Sequence, residues 1–236
     1  MSKILSTGMG SGLEHVRLED AVRDADVSRT AAYRCWPNRD DFLVDVLAEL
    51  AGQALPVEGD RGPHATAVLR ASLDDDPNVL RTAEGRRAAL RKAVAVSASD
   101  DLITDRSENR RWQLYLALAM AVPNLPEGPQ RDRVSAAVTD AESQVLQRLE
   151  RNYRKLLELF GFTSRVVYRE LAEIGIALMR GYVIGSYAGS GAAAPGEAYA
   201  LLVDGVATAT DTSIWDAERT RRLFDELDAY DAFAAE

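Results

Sequence analysis

The stretch that most constrains this chain lies near its N-terminus, where two short helix patterns follow each other with only a few residues between them. The apolar side chains of the first pattern recur at i, i+3, i+4 and i+7, which puts them on one face of a helix. They are Leu18, Ala21, Val22 and Ala25. Ser28 follows soon after, and its hydroxyl can accept a backbone N–H and so cap a second helix. The stretch therefore predicts two short helices joined by a tight turn.

The second helix, from Arg29 to about Cys35, combines small side chains with arginines and a tyrosine. Small side chains let a helix approach another surface closely, arginine can bind guanine edges or phosphates, and a tyrosine hydroxyl can reach a phosphate oxygen. This composition indicates a helix that contacts DNA. Arg29 and Thr30 lie at the end that points at base edges in such motifs. Tyr33 has an alternative role, in which its ring packs on Trp36.

A third helix is predicted directly afterwards. Pro37 fixes its entry, Asn38 can cap it, and the acidic pair Asp40 and Asp41 suits the positive end of the helix dipole. Trp36 is expected to pack between the three helices. The apolar residues of the third helix recur at helical spacing and are Phe42, Leu43, Val46, Leu47 and Leu50.

These residues resemble the DNA-binding domain of the TetR (tetracycline repressor-like) family of transcriptional regulators. The matching positions are Val27, Ser28, Tyr33, Trp36–Arg39 and Asp40–Leu43, without a gap. The chain departs from the family pattern at Asp26, where glycine is usual, and at Trp36, where phenylalanine is usual. Aspartate can adopt the left-handed conformation, so the first departure is compatible with the turn.

A third departure concerns the helix that precedes this motif in the family. Only eleven residues lie before Gly12, with Gly8 and Gly10 among them, and Ile4, Leu5 and Met9 can form only a shortened version. The segment GMGSG, residues 8–12, does not have the GxGxxG spacing of a nucleotide-binding loop, and no strand precedes it.

The resemblance implies an all-α protein with an N-terminal helix-turn-helix DNA-binding domain, residues 1–50, and a helical ligand-binding and dimerisation domain, residues 51–236. It implies a homodimer that binds a palindromic double-stranded DNA operator, usually as a repressor, and is released by a small-molecule effector. In the family, residues at the positions of Tyr33 and Arg39 contact phosphates. The candidate DNA-binding residues are Arg17, Ser28, Arg29, Thr30, Ala31, Tyr33, Arg34 and Arg39.

An alternative follows from the shortened first helix. In it, the chain keeps the TetR fold, no longer binds DNA, and acts as a small-molecule-binding or interaction protein. An enzyme is a third possibility, but the sequence contains no GxSxG, HExxH or Walker motif, and His15 and His64 have no ligand partners close by. We interpret Cys35 as a packed thiol rather than a nucleophile.

The rest of the chain predicts helices and no convincing strand, because its valines lie at helical rather than alternating spacing. Helices are expected over 65–73, 79–96, 110–122 and 129–160, then from Thr163 or Ser164 to about 188, and over 197–210 and 216–232. We interpret the acidic residues 74–76 as a solvated turn rather than a metal site, so neither a metal nor a cofactor is predicted. The cationic face formed by Arg86, Arg87, Arg91 and Lys92 is expected to be solvated, with a second DNA patch as the alternative.

Two of the later helices carry narrow faces of small and apolar residues that suit a close helix partner. They are Ile174, Ala177, Leu178, Gly181 and Gly185 on one helix, and Ala198, Leu201, Leu202, Gly205 and Ala209 on the next. In the resembling family the corresponding helices form the dimer interface. The alternative is ordinary packing within one chain.

A ligand pocket is predicted from aromatic and methionine side chains on three helices. Each of them alone is more often part of a core. The expected ligand is neutral or amphipathic and partly aromatic, and the candidate residues are Trp112, Tyr115, Met120, Tyr153, Met179 and Tyr182.

Composition limits these alternatives further. The net charge of −9 excludes a protein that coats nucleic acid through bulk electrostatics, so DNA binding must depend on where the cations lie. A single cysteine excludes a disulfide framework, and without a leader-like N-terminus the chain is expected in the cytoplasm. The longest apolar run, 174–188, is interrupted by Arg180 and is too short to cross a bilayer.

Overall fold

The computed structural model describes residues 17–54, 70, 78–103, 106–125, 127–187 and 195–234. Over these residues the chain is predominantly helical, in agreement with the predicted class, and it has one small sheet. None of the described helices combines the length and hydropathy that a membrane span requires. The predictions for the shortened first helix, the segment 8–12, the helix 65–73 and the acidic residues 74–76 lie outside the described residues.

The described elements follow one another in a simple order. They are α1 Leu18–Asp24, α2 Arg29–Cys35, α3 Arg39–Ala54, α4 Ala83–Ile103, α5 Arg106–Ala121, a 3₁₀ turn Val122–Asn124, α6 Pro129–Leu159, β1 Phe162–Ser164, α7 Tyr168–Tyr187, α8 Pro195–Val206, β2 Ala207–Ala209 and α9 Ala217–Ala234.

These elements belong to two compact units. The first consists of the described parts of 1–56 and 110–144, and the second of the described parts of 57–109 and 145–236. Helix α6 contributes residues to both. The boundary between domains 1–50 and 51–236 stays a prediction, because the two compact units do not show which segments fold independently.

In the first unit, helices α1 to α3 form the head, residues 17–54, around a small apolar core. The stripe predicted on α1 supplies Leu18 and Val22, and α2 and α3 supply Ala32 and Phe42, all of them buried. Four partly buried side chains pack against this core: Ala21, Trp36, Leu43 and Val46. The three short helices therefore stabilise one another through contacts that none of them could make alone.

In the second unit, β1 and β2 pair antiparallel, which corrects the prediction that the chain has no strand. Phe162 pairs with Ala209 and Ser164 with Ala207. Gly161 ends α6 as predicted, with φ +79°, and its carbonyl accepts the amide of Thr210 at 2.9 Å. Each strand has only three residues, too few for alternation of side chains to be visible in the sequence.

Several helix limits also differ from the prediction. Helix α4 begins at Ala83 rather than Val79, and α8 ends at Val206, directly before β2, rather than at Thr210. Helix α4 continues to Ile103, α5 begins at Arg106 rather than Arg110, and α7 begins at Tyr168 rather than at Thr163 or Ser164. The last shift has a local cause, because Ser164 belongs to β1 and its hydroxyl accepts the amide of Val166 in a turn. A helix can start only after that turn.

The prediction of a solvated cationic face on α4 is wrong for Arg86, which is completely buried. Its guanidinium donates to the backbone carbonyls of Phe160 at 3.1 Å and Ser213 at 3.3 Å, and also to that of Asp211. The group lies 4.2 Å from the centre of the Trp215 ring. Burial lowers the pKa of Arg86 from its usual value, yet these acceptors satisfy the cation inside the unit.

The other cations of that face differ from Arg86. Arg87 is half-buried and pairs with Asp204 at 2.6 Å, whereas Arg91 and Lys92 are exposed as predicted. Arg91 forms an ion pair of 3.4 Å with Glu197. Helical periodicity predicted a polar face for Arg86 and Arg87. It contains no information about the carbonyls and carboxylates, distant in sequence, that accept their hydrogen bonds.

Candidate nucleic-acid interface

The turn between α1 and α2 is formed by Ala25 and Asp26. Asp26 has φ +52°, and it is the single non-glycine residue with positive φ in the described part of the chain. This left-handed residue reverses the chain direction, so that the amide of Val27 donates to Val22 at 3.3 Å. Aspartate thus occupies a left-handed conformation, at the turn position where the resemblance led us to expect glycine.

Ser28 caps α2 as predicted. Its hydroxyl oxygen accepts the amide of Ala31 at 3.1 Å, which satisfies one of the N–H groups that have no partner within the helix. The cap fixes where α2 begins and therefore which of its side chains face the head core.

Helix α2 buries one small side chain and exposes all the others. Ala32 is 3% exposed and contacts the core of the head. The remaining side chains of α2 are in solvent, and all eight predicted DNA-binding residues, Arg17, Ser28, Arg29, Thr30, Ala31, Tyr33, Arg34 and Arg39, are exposed. Within the described part of the chain, this face of α2 is therefore exposed to solvent.

Trp36, which was expected to pack between the three helices, is the C-cap residue of α2 and contacts α3. Its ring meets Phe42 edge-on, with 5.3 Å between ring centres. Its indole N–H donates to Asp45 at 2.8 Å, and the same carboxylate pairs with Arg133 of α6 at 2.6 Å. Asn38 caps α3 by accepting the amide of Asp41 at 2.9 Å. The C-terminal end of α2 is thus held by packing and by hydrogen bonds together.

Tyr33 is exposed, and its hydroxyl donates to the carboxylate of Glu19 at 3.0 Å. The hydrogen bond to Glu19 raises the pKa of the phenol. Glu19 was not among the residues predicted from the sequence, and it lies 14 residues before Tyr33 on another helix. One signal was present: Glu19 is on the first helix outside its apolar stripe, and the turn brings that surface beside α2.

Cys35, interpreted from the sequence as a packed thiol, is exposed. The interpretation is wrong because Cys35 is the last residue of α2, beyond the part of the helix that covers the core, and Ala32 is the one α2 residue that is buried.

The six predicted ligand-binding residues do not all lie in the same unit. Trp112 and Tyr115 are buried in the first unit with their rings edge-on at 6.0 Å, and the Tyr115 hydroxyl donates to Glu142 at 2.7 Å. Met120, in the same unit, is 71% exposed. Tyr153, Met179 and Tyr182 belong to the second unit, where Tyr153 is buried against Gly175.

Among the described residues of the second unit, a cleft of about 180 Å³ lies between the end of α6 and the start of α9. It is lined by Lys155, Glu158, Leu159, Trp215, Arg219, Leu223 and Glu226. None of the six predicted residues lines this cleft. No group of side chains in the described part of the chain is suited to hold a metal ion.

Comparison of the chain with protein-family models, with curated proteins and with solved structures finds no match. The function is therefore inferred from the residues of the chain and their geometry.

Proposed function

We propose that this chain is a ligand-responsive, DNA-binding transcriptional regulator with an N-terminal helix-turn-helix domain, and that it binds a palindromic operator as a homodimer. In this proposal it is a repressor that a small molecule releases from DNA. The observation that carries the proposal is the exposure of the whole of α2 apart from Ala32. An exposed helix bearing Arg29, Thr30 and Arg34, capped at its start and anchored at its end, is suited to enter a major groove.

The distribution of charge agrees with specific rather than general DNA binding. The head carries acidic residues beside its arginines, for example Asp20 paired with Arg23 at 3.2 Å. A surface of mixed charge gains little from non-specific attraction to phosphates. Affinity must then come from the few cations that α2 presents, together with contacts to base edges.

The proposal of a homodimer is supported by exposed apolar side chains on α7 and α8. Ile184 and Leu201 are 56% and 57% exposed, and Ile174 is also exposed. On the same helices, a methyl group added at Gly181 or Gly205 would meet no atom of the described residues within 4 Å beyond its own stretch of helix. These faces have room for a closely packed helix of a second copy.

Selection of bound duplexes from a random pool tests the proposal without knowledge of the operator. We expect enrichment of a near-palindromic sequence whose half-sites are about one helical turn, roughly 34 Å, apart or modestly more. Footprinting on the enriched duplex should protect both half-sites. The DNA upstream of the chain's own gene is the natural second substrate for a gel shift.

Two variants serve as test and control. Arg29→Ala removes a cation from the proposed interface, and Arg222→Ala removes one from an exposed position on α9. Enrichment should weaken with the first, with preference relaxed at one base pair of each half-site, and should be unchanged with the second. If the wild-type chain binds no duplex, the alternative remains, in which the fold serves small-molecule or protein binding alone. Protection of a single asymmetric half-site would contradict the two-fold arrangement.

A further inference from the structure

Glu19 occupies a fixed position beside the exposed face of α2. It lies in the first turn of α1, whose N-cap residue Arg17 provides no side-chain cap. A hydrogen bond from the backbone amide of Glu19 itself, followed by the one from the Tyr33 hydroxyl, lowers the pKa of this carboxyl, and the charges of Arg17 and Arg29 act in the same direction. The carboxylate is therefore anchored at a helix N-terminus and stays ionised at neutral pH.

This arrangement conflicts with one part of the proposed DNA complex. A phenol has a single proton to donate, and in the free protein Tyr33 donates it to Glu19 at 3.0 Å. The hydroxyl cannot at the same time donate to a phosphate. A phosphate that approached Tyr33 would also meet the negative charge of Glu19, and it would compete with Glu19 for the positive charge of Arg29.

We propose that Glu19 restrains the affinity of the head for DNA by holding the Tyr33 hydroxyl, so that a duplex binds only by replacing Glu19 as the hydroxyl's acceptor. The inference depends on the proposed function, since it assigns Glu19 a role in the same interface. The free-energy cost of replacing Glu19 is the same for every DNA sequence, because the phosphate backbone is what replaces it. Glu19 therefore suppresses non-specific binding, and contacts to bases must compensate for it at an operator.

The test compares two substitutions that each remove one negative charge from α1. Glu19→Gln keeps the shape of the side chain but leaves an uncharged, weaker acceptor for Tyr33. Asp24→Asn makes the same change of charge at an exposed position on the same helix. We expect Glu19→Gln to tighten binding of a mixed-sequence duplex roughly tenfold. Asp24→Asn should tighten it about twofold or less, because solvent and salt screen a more distant charge.

A double-mutant cycle separates the effect of the Tyr33 hydroxyl on DNA affinity from the effect of removing a negative charge. In a Tyr33→Phe background, the gain from Glu19→Gln should fall to that of Asp24→Asn, since no hydroxyl is left to release. A readout that needs no DNA is the titration of tyrosine ring carbons by NMR, with the Tyr33 signal assigned through Tyr33→Phe. Glu19→Gln should bring the raised pKa of Tyr33 back towards its usual value.

The outcomes separate the inference from the proposed function. Equal gains for Glu19→Gln and Asp24→Asn on bound duplex overturn the inference and leave the proposed function intact. A Tyr33 titration that does not respond to Glu19→Gln also overturns the inference, whatever the DNA result. If neither the wild type nor any variant binds duplex DNA, the proposed function fails and the inference fails with it.

Discussion

At the scale of single residues, Arg29 and Arg39 are both exposed cations of the head, yet they are expected to act differently. Arg29 lies in the first turn of α2, where side chains reach base edges, so Arg29→Ala should cost about 1–3 kcal/mol of binding free energy on the operator and relax preference at one base pair.

Arg39→Ala and Tyr33→Phe should weaken binding to operator and scrambled duplexes alike. For Arg39→Ala, the salt dependence of binding should also fall by about one unit per subunit.

Affinities for operator and scrambled DNA at several salt concentrations decide between these roles. Equal losses for Arg29→Ala on both duplexes would show that Arg29 is a phosphate contact and that the base-reading residue lies elsewhere on α2. Arg222→Ala is the matched control for a lost surface arginine.

Asp211 is expected to make the stability of the protein depend on pH. Its carboxylate accepts the Ser213 hydroxyl, the Trp215 indole N–H at 2.8 Å and the Ser213 amide at 2.9 Å, and these bonds lower its pKa from 3.8 to about 2. Because the pKa is lower in the folded state, the stabilisation is complete above the ordinary value of 3.8 and is lost as the pH falls towards 2. Unfolding free energy should therefore decrease over this range.

Urea unfolding at a series of pH values between these limits measures the effect. Asp211→Asn should lower stability near neutral pH and flatten its pH dependence. Asp225→Asn, at an exposed position on α9, should retain the wild-type dependence. If Asp211→Asn leaves the dependence of unfolding free energy on pH unchanged, other carboxylates cause the loss of stability in acid.

At the scale of elements, the turn between α1 and α2 depends on the left-handed Asp26. A methyl-bearing residue without a polar side chain is strained there, so Asp26→Ala should destabilise the head by about 1 kcal/mol. Asp26→Gly should not, since glycine adopts positive φ freely. Asp24→Ala, in the right-handed α1, is the control and should cause no loss. Hydrogen exchange of the α1 and α2 amides reports this local opening, and equal protection in Asp26→Ala and Asp24→Ala would contradict the argument.

The head was predictable from the sequence because its determinants are local. The α1 stripe, the Ser28 and Asn38 caps and the edge-on contact of Trp36 with Phe42 each involve residues a few positions apart. The exposure of α2 was predicted only in part, because Cys35 was expected to be packed and is exposed.

The second unit was less predictable for the opposite reason. Arg86 has acceptors up to 127 residues away, and β1 and β2 meet only after α7 and α8 have intervened. Spacing within one helix contains no record of such partners. Glu19 escaped notice in the same way, since its role depends on the turn that brings it to Tyr33.

At the scale of the whole molecule, the exposed faces of α7 and α8 predict self-association. Gly181→Leu adds a side chain at a position where no described residue lies nearby, so the fold should tolerate the substitution. The added side chain would keep a helix of a second copy from packing closely on α7. Sedimentation should show a wild-type dimer and a Gly181→Leu monomer with unchanged helix content. Ala88→Leu, an equal enlargement at an exposed position of α4, should remain dimeric. A wild-type monomer, or a dimeric Gly181→Leu, would place the interface elsewhere.

The buried Arg86 also has a consequence for synthesis on the ribosome. Its acceptors Phe160, Asp211 and Ser213 are translated long after it, and until the last two emerge the guanidinium cannot be enclosed without unsatisfied donors. The second unit is therefore expected to close only late in translation. A nascent chain that ends before Asp211 is therefore expected to keep an open interior that a protease cleaves faster than that of the full chain.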